Sequence, residues 1–362
     1  MRCRLKTTLE NLIGQMQTAG ASDLILTAGA APQLRVHGLL RAAGPEALTA
    51  EDTRGMAGSL MNPQQRELFH EVKNLDLSKE FPGELRCRIN IYVQKDAVAI
   101  AIRNIPALIP PFEVLGLPDI AKDFAVQPHG LVLITGPAGS GKSTTLAAMI
   151  NFINQTRHAH VVCLEDPIEY VHAHHKSVID QREIGTDART FQEALRGVFR
   201  QSPDVIMVGE MRDLETIQLV LTLAETGHLI LATLHTQDTS HAINRMVDIF
   251  PAGQQEQIYM QLSLVLIGVI AQQLIITSDR QRRVLAYEVL RVNHAVRNLI
   301  RERQIQQLYS VVETSRAEGM VTMNETLRRL HERELIDFDE ALSRSPRPKE
   351  FARSIVRAEK KS

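Results

Sequence analysis

The chain has 362 residues, more than one typical domain holds, so two domains are expected. Hydrophobic residues make up 44% and charged residues 23%, an ordinary globular balance, and Lys+Arg 41 against Asp+Glu 42 leaves a net charge of −1. That balance argues against a global basic surface for nucleic acid or an anionic membrane. Cys3, Cys87 and Cys163 are odd in number and far apart. They offer neither a disulfide framework nor a C-x-x-C metal site, and a reducing compartment fits them best. The basic opening, residues 1–6, runs into Thr7, Thr8, Glu10 and Asn11 instead of an apolar core, so no signal peptide is expected.

In chain order, residues 7–18 show helical periodicity through Leu9, Leu12, Ile13 and Met16. SDLILTAG and PQLRVHGLL then read as two strands around a Gly-Ala-Ala-Pro turn. Polar helical stretches follow at 49–60 and 63–73, then a strand meander in LDLSKEF, LRCRINIYV and AVAIAIR. Residues 1–105 therefore read as a small α+β domain. Pro106, Pro110, Pro111 and Pro118 mark 106–118 as a linker, because proline removes donors and restricts its neighbours.

From 119 to 291 strands and helices alternate: strand 131–135, helix 142–155, strand 161–165, helix 188–201, strand 205–209, helix 213–226, strand 229–234 and helix 239–249. Such alternation predicts a mainly parallel sheet covered on both faces, an α/β fold. The apolar stretch 262–276 is short and contains two glutamines, so it predicts a buried helix passing into a strand, not a membrane span. Residues 292–362 read as a helical subdomain whose last dozen residues are expected to fray.

GPAGSGKS, residues 136–143, has the phosphate-loop spacing: Gly136, four residues, then Gly141, Lys142 and Ser143. Glycine lets backbone N–H groups close on an anion, and the following helix offers its unsatisfied amides and positive dipole end. Lys142 would reach the β- and γ-phosphates, and the Ser143 hydroxyl would ligate Mg²⁺. DVIMVGEMRD, 204–213, is an apolar strand ending at Glu210, whose carboxylate can position Mg²⁺ through water or orient the attacking water. LEDPIEY, 164–170, ends an earlier strand with Glu165, Asp166 and Glu169, acids that repel unless they face a cation or water. GHLILATLHT, 227–236, has His228 and His235 at opposite ends of one strand. Seven residues apart, they start on opposite faces, which disfavours a shared metal site. His235, at the carboxyl end, is the better γ-phosphate sensor.

The order of these four motifs resembles that of the secretion ATPases, where they are called Walker A, Asp box, Walker B and His box. GASDLILTAG, INQTRHAH, AVRNLIRE and GMVTMNETL extend the resemblance, most closely to the type IV pilus retraction ATPases of PilT type. The resemblance implies a PAS-like N-terminal α+β domain, a RecA-like P-loop ATPase domain with a helical C-terminal subdomain, and a homo-hexameric ring with ATP at the seams. It implies that Gly136, Gly139, Ser140, Gly141, Lys142, Ser143 and Thr144 bind ATP, and that Ser143 and Glu210 serve Mg²⁺. Glu169 takes the general-base position, Glu210 is the Walker B acid, Glu165 shares the Asp box, and His228 and His235 form the His-box pair. Arg86, Arg88 and Arg103, with Arg196 and Arg200, are the arginines that the resemblance places around the nucleotide.

The same resemblance implies a cytoplasmic motor at the inner face of the membrane, acting on an inner-membrane pilus platform protein to retract the pilus in twitching motility. The alternatives are an accessory, PilU-like retraction ATPase, or a nucleic-acid translocase of RecA-like fold. The latter lacks an evident basic, aromatic-interleaved stretch in a chain with only 4% aromatics, so no nucleic acid is expected. Three positions depart from the usual pattern: Ser202 stands where an acid is common, Asn244 for Asp, and Val296 for Ile. AVRNLIRERQ, 295–304, reads as an amphipathic helix capped by Asn293. Val296, Leu299 and Ile300 form its apolar face, with Arg297, Arg301 and Glu302 largely on the other. The matching segment of the family is its retraction motif.

Overall fold

The structure, a computed structural model, describes residues 8–36, 38–82, 85–105 and 108–359. The expectations placed on residues 1–6, Cys3 and Pro106 lie outside the described residues. The chain divides into two compact units. One runs as far as Leu108 and also holds Pro167–Val171; the other comprises Ile109–Asp166 and everything from His172 onward.

The first unit opens with α1 (Leu9–Thr18), whose N-terminus is capped by Thr8 Oγ1 accepting from the Asn11 amide. Leu9, Leu12, Ile13 and Met16 form its buried stripe. Strands β1 (Asp23–Leu26), β2 (Gln33–Val36) and β3 (Leu39–Ala42) follow, then α2 (Ala50–Leu60) and α3 (Pro63–Val72), each started by a capping box. A meander of β4 (Asn74–Phe81), β5 (Leu85–Gln94) and β6 (Ala97–Ile105) completes an antiparallel six-stranded sheet, ordered β3-β2-β1-β6-β5-β4. PQLRVHGLL is thus two strands, not one. Val36 pairs with Leu39, and Gly38, at φ 81°, adopts the left-handed turn that lets the chain reverse.

The proline-rich stretch is more than a bare tether. Pro111 starts a single helical turn, α4 (Phe112–Leu115), which Gly116 ends in the left-handed region. Phe112 and Leu117 are buried in the core of the second unit.

That unit continues with α5 (Ile120–Ala125), β7 (Gly130–Thr135), α6 (Lys142–Thr156), β8 (His160–Glu165), β9 (Val178–Glu183), α7 (Phe191–Val198) and β10 (Val205–Val208). Then come α8 (Leu214–Glu225), β11 (Leu229–Leu234), α9 (Thr239–Asp248), α10 (Ala252–Val265), β12 (Leu266–Ile276) and β13 (Arg283–Arg291). Its sheet runs β13-β12-β7-β11-β10-β8-β9, parallel throughout except for β13. Central strands read as unbroken apolar runs because both faces are covered. Leu131, Leu133, Val162, Ile206 and Ile230 face one core, built with α7 to α10; Val132, Ile134, Val161, Val205 and Leu231 face the other, built with α5 and α6. As expected from 262–276, helix α10 passes directly into strand β12.

The tail is helical: α11 (His294–Arg301), α12 (Leu308–Thr314), α13 (Met323–Glu332), α14 (Phe338–Arg344) and α15 (Pro348–Glu359). Fraying of the last dozen residues is not what the structure gives as far as Glu359. Phe351 and Ile355, four apart on α15, are buried against Leu327, Leu330 and Ala341. On α11, Val296 and Ile300 are fully buried, whereas Leu299 is only partly so. Arg297 departs from the expected polar face: it is half-buried, and its Nε is shut off from solvent.

Candidate nucleotide site

All the motif strands run parallel, so their carboxyl ends share one edge. In the register, Thr135 lies opposite Leu234, Ala232 opposite Val208, and Val208 opposite Leu164. The next residues of each strand bring together the loop from Gly136, His235, Glu210 and Asp166.

The loop follows from its glycines. Gly136 has φ 147°, and a Cβ there would lie 2.3 Å from the Gln272 carbonyl oxygen and 2.5 Å from Ser140 Oγ. No side chain fits. Gly139 and Gly141 are also left-handed, at φ 75° and 89°. Gly141 caps α6 without a side-chain acceptor, leaving the first amides of the helix to the loop's concavity. Lys142 is buried, and its Nζ donates to Gly136 O at 2.7 Å and to Pro137 O at 3.0 Å. Ser140 Oγ and Thr135 Oγ1 are buried with no hydrogen-bond partner. Orphan hydroxyls, uncapped amides and a lysine around a cradle that admits no Cβ at Gly136 form a donor set suited to a polyphosphate, so the residues fit ATP.

Behind the loop, Gln272 of β12 is fully buried; its Nε2 donates to Ser140 O at 2.8 Å and its Oε1 accepts from Thr145 Oγ1 at 3.0 Å. One side chain therefore joins the end of the loop to the first turn of α6. The sequence did not single Gln272 out for a role; its signal was the pair Gln272 and Gln273 inside an otherwise apolar strand.

On the facing side, His235 Nε2 lies 3.0 Å from Glu210 Oε1, and its Nδ1 lies 3.4 Å from Lys142 Nζ. An ammonium can only donate, so Nδ1 accepts and Nε2–H donates to the carboxylate. His235 thereby bridges the loop's cation and the strand-end acid. Arg212 donates to Glu210 Oε2 at 2.7 Å. Partial burial alone would raise the Glu210 carboxyl; Arg212 and His235 outweigh it and hold the carboxyl below its ordinary value. Gly209, whose amide donates to Leu164 O at 2.8 Å, joins this strand end to that of β8.

Other predicted residues are placed differently. Glu165 is buried at the end of β8 and accepts from Gln181 Nε2 at 2.9 Å. Glu169 is exposed, within the Pro167–Val171 segment that groups with the first unit. His228 does not join His235. It precedes β11 at the amino edge of the sheet, its Nδ1 against Leu223 O at 3.0 Å and Thr226 Oγ1 at 3.2 Å. It thus finishes helix α8, at the opposite end of the strand from the loop. In the first unit, Arg88 and Arg103 stand directly opposite on β5 and β6, with Arg86 two residues along the same face. Arg103 pairs with Asp23 at 2.9 Å and Arg88 with Asp76 at 3.8 Å. On α7, Arg196 pairs with Glu215 at 2.5 Å; Arg200, in the turn after that helix, is exposed. Of the departures, Ser202 takes a left-handed backbone, φ 51°, in the turn before β10, and Asn244 is half-buried on α9.

Comparison with known proteins agrees with this geometry. Residues 117–343 match the family described as type II/IV secretion system protein. A twitching motility protein of Neisseria gonorrhoeae is 47% identical over 305 residues, 84% of this chain and 82% of its own. The type IV pilus retraction ATPase PilT of Pseudomonas aeruginosa is 43% identical over 332 residues, 92% of this chain and 96% of its own. The solved structure of a pilus retraction motor, PilT with bound ADP, superposes with a TM-score of 0.90 at 45% identity, covering 96% of this chain and 99% of that one. A RecA-like P-loop unit preceded by an α+β unit is therefore the fold, and the chain belongs to the type II/IV secretion system protein family, as a PilT-like ATPase.

Proposed function

We propose that the protein is the ATP-hydrolysing motor that retracts a type IV pilus. The observation that carries the reading is the bridge from Lys142 through His235 to Glu210, set against a loop that admits no Cβ at Gly136. In this reading the amides of Gly139 to Thr144 and the Lys142 ammonium bind the phosphates. Ser143 and Glu210 would hold Mg²⁺, which would supply charge neutralisation at the phosphate oxygens. Water attacks the γ-phosphorus and the bond to the β-bridging oxygen breaks; Glu210 or Glu169 takes the water's proton. His235, touching both Lys142 and Glu210, senses whether a γ-phosphate is present. An arginine from a neighbouring copy, out of Arg86, Arg88, Arg103, Arg196 and Arg200, neutralises the developing charge, an effect worth ~10³–10⁵ in rate in well-studied NTPases.

The working assembly is a homo-hexameric ring in which hydrolysis drives rigid-body motion of the units. Residues 119–291 act as the motor core, 292–362 as its helical addition, and 1–105 as the domain that supplies the seam. Among the described residues no helix is long and apolar enough to cross a membrane. In this reading the ring works in the cytoplasm, docked on an inner-membrane platform protein at the pilus base. Phosphate release from purified protein tests the chemistry. Turnover should require Mg²⁺, stop on chelation with EDTA, and be lost in Lys142→Ala; turnover that survives either treatment refutes the site.

A further inference from the structure

The amino edge of the motor sheet, opposite the phosphate loop, holds a cavity of about 450 Å³. It is framed by the start of β7, the junction of α10 with β12, and the junction of β13 with α11. Gly130 and Gly136 bracket β7, so roughly 20 Å of strand at ~3.3 Å per residue separates the cavity from the loop. Phe124, Ile267 and Val292 supply apolar wall, and Leu264, 61% exposed, stands at the rim.

Arg297 enters this wall from α11. Its Nε is buried and has no hydrogen-bond partner. A guanidinium cannot shed its proton, so the N–H lacks an acceptor that burial makes expensive to omit. The other charges of the lining do not supply one. Asp123 and Glu225 are exposed, Glu225 accepts from Gln261 Nε2 at 3.1 Å, and among the described residues neither forms an ion pair with Arg297 or Arg291. Arg291 and His129 are exposed as well. The charge set into the wall is therefore positive, beside apolar surface.

We propose that this cavity receives an acidic side chain from a partner protein, its carboxylate on the Arg297 guanidinium and flanking apolar residues against Phe124, Ile267, Val292 and Leu264. The carboxylate matches the planar fork of arginine. A free inorganic anion would use the guanidinium alone and leave the apolar wall and Leu264 uncovered. A peptide segment with an acid between apolar residues satisfies both, and a cavity of this size takes a few side chains.

Selection from a random heptapeptide library on the full chain tests the inference. Recovered peptides should be enriched in Asp or Glu next to Leu, Ile or Phe. They should bind Arg297→Gln ~10-fold or more weakly, the scale for losing a charge-assisted hydrogen bond. Leu264→Ser, at an exposed position that does not endanger folding, should weaken them too. ATP turnover of both variants should stay close to that of the unaltered chain. The inference is overturned if the peptides lack an acid, bind both variants as well as the unaltered chain, or are displaced as readily by inorganic phosphate. It is equally overturned if Arg297→Gln changes the size of the assembly in sedimentation, which would assign the cavity to a second copy of this chain.

Discussion

Replacing Glu210 with Gln keeps the size of the side chain and one acceptor, but removes the charge that His235 and Arg212 both address. ATP binding should survive, because Lys142 and the loop amides are untouched. Turnover should fall ~10²-fold or more, the scale for a positioned general base. Fluorescent-nucleotide titration beside phosphate release separates the two effects; unchanged turnover would hand the base role to Glu169. Gln272 allows a different experiment. Gln272→Leu strips Ser140 O of a donor and Thr145 Oγ1 of an acceptor, both buried, at ~1–3 kcal/mol for each group left unsatisfied. The loop would lose its fixed shape, so the thermal shift produced by added ATP should shrink by more than the melting point of the free protein falls. If the two fall together, Gln272 is structural packing and no more. Lys142, Gly136 and Glu210 were legible in the chain because their spacing follows from phosphate chemistry. Gln272 was not, since its partners lie 127 and 132 residues away in sequence.

Whole elements carry their own test on α11. Asn293 Oδ1 accepts from the Val296 amide, which fixes the helix start, and the helix turns Val296 and Ile300 into the main core of the motor unit. Truncating Ile300, which is fully buried, to Ala should cost ~2–5 kcal/mol. Leu299→Ala should cost clearly less, because Leu299 is only partly buried. Urea unfolding of the two variants checks the order; the reverse order would mean that the helix is rotated from the face described. Elements with a full apolar signal were readable from sequence: β7, β10 and β11 are buried along their whole length. Strand β9 was missed because it is the edge of the sheet, and its VIDQRE alternates buried with solvated positions too weakly to stand out. The β2–β3 reversal was missed because Leu39 and Leu40 continue an apolar run, although both are largely exposed. A run of apolar letters does not register a turn when the cue is one glycine. The fate of α15 was misjudged for the opposite reason: its basic residues obscured a buried pair four residues apart.

At the scale of the molecule, two units that are each organised around their own sheet have to turn a local event at the loop into work on a pilus. The loop lies at the carboxyl edge of the motor sheet and the cavity lined by Arg297 of α11 at its amino edge, so the mainly parallel sheet spans the distance between them. The fold class and the motor sheet were legible from alternation and motif order. That His228 and His235 stand at opposite ends of one strand was legible too, and the structure keeps them apart; what it does not give is the His-box pair that the resemblance implied, since His228 is occupied at the end of α8. The central claim is that hydrolysis at this loop drives retraction. It is tested most directly by deleting the gene, restoring it as the unaltered chain or as Glu210→Gln, and following fluorescently labelled pili in living cells. The account predicts that pili extend but do not retract in the deletion strain, and that the unaltered gene restores retraction while Glu210→Gln does not. Retraction that persists in the deletion strain, or that Glu210→Gln restores in full, would contradict it.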